Sequence, residues 1–141
     1  MFRGILAALG LINFGFGVLA LAQPQLVAGW IGFELLGPSA FGEMRAMFGG
    51  VVMVVGVLFI VAGAMAQPRP LLGGLALVFT ALSLGRLASL VIDGWSFYTA
   101  AAFVLEAATA GVTAYLWRNP QALAEPPANS AGDAYEQSSE S

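Results

Sequence analysis

The sequence contains no cysteine and no histidine, and none of its five cationic residues is a lysine. Without cysteine there is no disulfide framework, no thiol nucleophile and no thiolate metal site. Without histidine the commonest metal ligand and general base is missing. Charge of either sign is scarce. Only 9% of residues are charged, against about 25% in an ordinary soluble domain. Nucleic-acid binding needs a basic face, and the sequence has none. The formal charge of −3 is a poor guide to partners, because four of the eight acids (Glu125, Asp133, Glu136, Glu140) lie in the last 17 residues. Nothing in this composition calls for a cofactor or a metal.

Apolar residues fill the space that charge leaves. They make up 59% of the 141 residues, with 18 glycines among the rest, and the mean hydropathy is +0.84. Four long apolar runs stand out, at about 4–22, 44–66, 71–92 and 95–117. Each is close to the ~20 residues that a helix needs to cross ~30 Å of hydrocarbon. Trp30, Trp95, Phe97, Tyr98, Tyr115 and Trp117 mark run ends, where aromatic residues belong in a membrane–water interface. The fold class is therefore all-α: an integral membrane four-helix bundle over residues 1–118. Residues 119–141 are polar and acidic and read as a disordered tail.

The connectors carry helix breakers. "QPRP" at 67–70 and "DG" at 93–94 are tight turns. The first connector is longer, and its "LVAGWIGFELL" is expected along the interface as a short helix or loop, with Trp30 and Phe33 dipping inward. Arg3, Arg69 and Arg118 flank one side of such a bundle, while the first and third connectors hold no lysine or arginine. The positive-inside rule then puts both termini in the cytoplasm. A secretory-signal reading of the first run competes with a retained span. The run exceeds the 7–15 residues of a signal core, and Asn13 interrupts it.

The charges inside the runs are the candidate site. Arg86 lies seven residues before Asp93, about 10 Å below the outer turn, and Glu106 lies about 16 Å down the next helix. The two helices are antiparallel neighbours, so an Arg86–Glu106 pair is expected. Glu43 and Arg45 open the second run near the same side. Four charges of cancelling sign, Glu43, Arg45, Arg86 and Glu106, are thus expected to gather as a ligand or helix-pairing cluster. A charge at the bilayer centre costs at least ~2.5–3.5 kcal/mol, and pairing lowers that cost. The bland alternative is that the four only pin the helices in register.

Small and polar residues recur beside these charges at helical spacing. Ser83, Ser89 and Asp93 accompany Arg86, and Thr99, Ala102, Thr109, Ala110 and Thr113 accompany Glu106. Such stripes face a bundle interior, where hydroxyls bond across helices. Asn13, between Gly10 and Gly17, is expected to make an interhelical hydrogen bond. Asp93 is expected to end its helix. Gly49, Gly56 and Gly63 recur every seven residues and form a groove for a neighbouring helix.

"GEMRAMFGG" at 42–50, "GR" at 85–86 with the following "DG", and Glu106 together resemble a family of small bacterial four-span membrane proteins, domain of unknown function 4345. Its pattern is E-x-R-A-x-[YF]-G-G, then G-R before a D-G turn, then a glutamate. Glu43, Arg45, Ala46, Phe48, Gly49 and Gly50 match the first motif. Gly85, Arg86, Asp93 and Gly94 match the second, and Glu106 the third. The resemblance covers roughly Ile5 to Trp117. It implies the architecture, these polar positions and a multi-pass place in a bacterial inner membrane. It implies no reaction.

Three functional classes follow. The favoured one is a non-catalytic module that binds membrane lipid, another membrane protein or a second copy of itself, and no nucleic acid. The alternative is a small oligomeric transporter or ion-conducting protein using the Arg86–Glu106 region. A membrane enzyme, with Glu43 or Glu106 as acid or base, ranks last, because no nucleophile–base pair or metal cluster supports it.

Overall fold

Proline and glycine set most of the helix ends. The computed structural model describes residues 2–123. The first helix, α1, is Phe2–Ala22, and α2 is Pro24–Ile31, opened by its proline. The helix α3 runs Gly37–Ala64, α4 is Arg69–Ile92 and α5 is Phe97–Arg118. Pro38 and Pro70 sit in the first turns of α3 and α4, where a missing N–H removes no helical bond. Gly32 closes α2 in the left-handed region at φ +78°, and Gly94 (φ +99°) turns the chain after Asp93. As expected, Asp93 ends α4, its N–H donating to the Ser89 carbonyl at 2.8 Å.

The chain is all-α among the described residues, and α1, α3, α4 and α5 are long and apolar enough to cross a membrane. Two boundaries differ from the sequence reading. Helix α3 begins at Gly37, not near residue 44, so Glu43 and Arg45 lie within a helix already under way. Its segment Arg45–Val51 is wound as a π-helix. At the other end the fold continues past Arg118 into a 3₁₀ turn, Pro120–Leu123, whose Leu123 is buried. The rest of the expected tail lies outside the described residues.

The helices pair as two hairpins, α1 with α3 and α4 with α5. The seam of the first is made of glycine. A Cβ built on Gly17 would come within 2.6 Å of the Met53 backbone nitrogen, and one on Gly10 within 2.8 Å of the Gly56 carbonyl oxygen. Gly56 in turn faces Gly10 and Phe14. Lipid offers little hydrophobic drive for helix association, so backbone approach of this kind supplies the packing energy.

Two apolar clusters join the hairpins. At the end holding Arg3, Leu6 and Phe59 meet Leu72, Leu75 and Leu116, with the Phe59 and Phe79 ring centroids 5.6 Å apart. At the other end Val27, Ala28 and Ile31 of α2 pack with Ala20 and Met44, and Tyr98 of α5 lies against them. Elsewhere the helices turn large apolar side chains outward. Leu77, Val91 and Leu105 are 72%, 77% and 69% exposed. Water would penalise so broad an apolar surface, whereas hydrocarbon does not. The connector helix α2 exists as expected. Trp30 lies on its outer side, and Phe33 meets Phe48 edge-on at 5.9 Å.

Arg3 closes the first end. Its Nε donates to the Leu123 carbonyl at 3.0 Å and its Nη1 to the Gly63 carbonyl at 2.8 Å. Gly63 is in the last turn of α3, where a carbonyl has no intrahelical donor. Replacing Arg3 with leucine is expected to lower stability in detergent by about 1–3 kcal/mol. It should also speed amide exchange at 119–123. Unchanged exchange there would show that the guanidinium does not hold the 3₁₀ turn.

Candidate functional site

Arg86 and Glu106 do meet. The α4–α5 turn at 93–96 brings the two helices side by side, and Arg86 of α4 reaches Glu106 of α5. Nε of Arg86 is 3.4 Å from Glu106 Oε1, and Nη2 is 3.5 Å from the same oxygen. Both contacts are longer than the roughly 2.7–2.9 Å of a tight charge-assisted bond. The side chains are 25% and 14% exposed. Glu106 Oε2 is buried and has no hydrogen-bond partner. Among the described residues, no acceptor meets Arg86 Nη1. The guanidinium carbon also lies 5.3 Å from the Tyr98 ring centroid, a cation–π arrangement that gains strength away from water.

Glu43 and Arg45 do not join this pair. Among the described residues Arg86–Glu106 is the one ion pair. Arg45 instead donates from Nε to the Leu21 carbonyl at 3.2 Å and lies 5.9 Å from the Phe41 ring centroid. It thereby caps the last turn of α1. Glu43 is exposed and lines a cleft beside the connector 32–36. The four residues thus sit on two different hairpins, Glu43 and Arg45 on α3 and the ion pair on α4 and α5.

The polar stripes are only partly enclosed: Ser89, Thr99 and Thr109 are half-buried and Asp93 is exposed. Ser83 and Thr113 are the buried polar side chains of the described residues. Their bonds, however, stay within each helix. Ser83 Oγ donates to Phe79 O, Thr109 Oγ1 to Leu105 O, Thr113 Oγ1 to Thr109 O, and Asn13 Nδ2 to Leu9 O, at 2.7–2.8 Å. The expected interhelical bond of Asn13 is thus replaced by an intrahelical one. A short polar side chain has the carbonyl four residues back within reach, and among the described residues Asn13 makes no cross-helix bond. Ser89 is half-buried, and its carbonyl accepts the Asp93 N–H.

Sequence reasoning missed two participants. Tyr98 read as an interfacial aromatic, yet it stacks on Arg86; Tyr98, Ala102 and Glu106 recur every four residues, which places them near one face of α5. The π-helical turn at 45–51 covers most of the "GEMRAMFGG" motif. Such turns are rare and concentrate at functional sites.

Four helices long and apolar enough to cross a membrane, two of them joined by an ion pair, define a multi-pass membrane protein. Within that class the chain belongs to the family described as Domain of unknown function (DUF4345), whose model matches residues 1–118. No curated protein and no solved structure matches the chain.

Proposed function

We propose that this protein is a non-catalytic membrane module that binds a lipid or the helix of a membrane partner through Arg86 and Glu106. The observation that carries this reading is the incompleteness of their pair. One carboxylate oxygen takes both guanidinium contacts, and the other is buried without a partner. A pair that served only to lock two helices would be expected to use both oxygens in a bidentate fork. Donor and acceptor capacity therefore remains for a ligand. Among the described residues no nucleophile–base arrangement accompanies it, which favours binding over catalysis. The test is mass spectrometry of lipids and proteins that co-purify from native membranes. Arg86→Gln should lose a species that the unaltered protein retains. An identical co-purification profile, with the variant folded, would reduce the pair to a structural pin.

The arginine distribution supports an orientation with Arg3, Arg69 and Arg118 in the cytoplasm. Absence of cysteine makes this simple to test. In intact cells an impermeant maleimide should label Ser96→Cys and spare Gln67→Cys. The reverse pattern would invert the topology.

A further inference from the structure

A cleft lined by none of the residues of the Arg86–Glu106 pair lies at the start of α3. It sits between the connector 32–36 and the first turns of α3, with a volume of about 420 Å³. Typical small-ligand pockets span roughly 300–1,000 Å³. Phe33, Glu34, Glu43, Met44 and Phe48 line it. We propose that this cleft binds an organic ammonium group.

The argument is one of charge and wall chemistry. Two carboxylates line the cleft, and neither has an ion-pair partner among the described residues. Arg45, the nearest arginine in sequence, is committed to the Leu21 carbonyl and the Phe41 ring. The chain has no lysine to substitute for it. The cleft is therefore negative, and an anion would be repelled. A hard metal cation would want six or more oxygen ligands, but the remaining walls, Gly32, Phe33, Leu35, Ala40, Met44 and Phe48, offer no side-chain oxygen. Phe33 and Phe48 stand edge to face, with their centroids 5.9 Å apart and their planes at 85°. Met44, 3% exposed, is rooted in the apolar cluster beneath. Aromatic faces next to carboxylates are the surroundings that recognise alkylated ammonium groups.

The position fits two sources of that chemistry. Trp30 and Leu36, 60% and 80% exposed, stand on either side of the connector's start and end. Exposed aromatic and apolar side chains at a helix-bundle end mark headgroup depth. An ethanolamine or choline headgroup could enter from the membrane, and a soluble amine could enter from water.

The test uses the full chain in nanodiscs made only of phosphatidylglycerol, which carries no amine. Tetramethylammonium chloride is titrated calorimetrically against a sodium chloride control. In parallel, native mass spectrometry measures retention of phosphatidylethanolamine and phosphatidylcholine from mixed nanodiscs. Saturable binding in the first arm assigns a soluble amine, and selective retention in the second assigns a lipid. In whichever arm binds, Glu34→Gln with Glu43→Gln should weaken it at least tenfold. Phe48→Leu, which keeps an apolar wall and removes the ring face, should weaken it several-fold. Circular dichroism and gel filtration establish that both variants are folded. Binding in neither arm, or affinity unchanged in the folded double variant, overturns the proposal.

Discussion

Replacing Gly56 with leucine should drive α1 and α3 apart and destabilise the protein by at least about 3 kcal/mol. The reason is backbone proximity. A Cβ at Gly56 would meet the Phe14 backbone and lie 2.7 Å from the Gly10 carbonyl oxygen. Neither is a flexible side-chain end that can swing away. The same replacement at Gly74 serves as the control, because nothing lies within 4 Å of a Cβ there. Gly74→Leu should stay within about 0.5 kcal/mol of the unaltered protein. Both residues are glycines in long apolar helices, so composition cannot separate them; only the seam can. Thermal unfolding in a mild detergent reads the difference. Equal losses at the two positions would mean that α1 and α3 do not pack through glycine.

Replacing Arg86 with leucine should be the most damaging change at the ion pair. It leaves Glu106 in the apolar interior with both oxygens unpartnered. The expected loss is about 3 kcal/mol, the scale of a single charge in the hydrocarbon. Glu106→Leu should cost less, about 1–2 kcal/mol. The orphaned arginine still has the Tyr98 ring, and its long stem lets the guanidinium rise toward the interface. The asymmetry is the diagnostic feature, and refolding equilibria in lipid measure it. A larger loss for Glu106→Leu would contradict the placement of the carboxylate as the more enclosed partner.

Run length and hydropathy made the four spans legible, because lipid imposes both. The Arg86–Glu106 pair was legible as well. A tight Asp-Gly turn makes α4 and α5 antiparallel neighbours, and counting residues from it gives each charge a depth. Counting does not give direction around the bundle. Glu43 and Arg45 therefore looked like members of the same cluster, although they face α1 and the connector. The start of α3 was hidden because "GPSAFGE" reads as loop chemistry. Pro38 is nonetheless tolerated in a first helical turn. Ser83 lies on a buried face, but a periodic pattern does not say whether the hydroxyls of Ser83 and Thr109 or the amide of Asn13 bond outward or back to their own helices. Arg3 read as an orientation signal. Its actual partners are the carbonyls of Gly63 and Leu123, and backbone carbonyls leave no mark in a sequence.

The pairing of Arg86 with Glu106 inside the membrane is most directly tested by a double-mutant cycle in bilayers, using Arg86→Leu, Glu106→Leu and the two combined. If the charges meet, the double variant should be more stable than the sum of the single losses implies, by about 1–3 kcal/mol. It should also exceed Arg86→Leu alone, because the unpaired carboxylate is gone. Strictly additive losses would mean that the two side chains are independent and that the helices are held by packing alone.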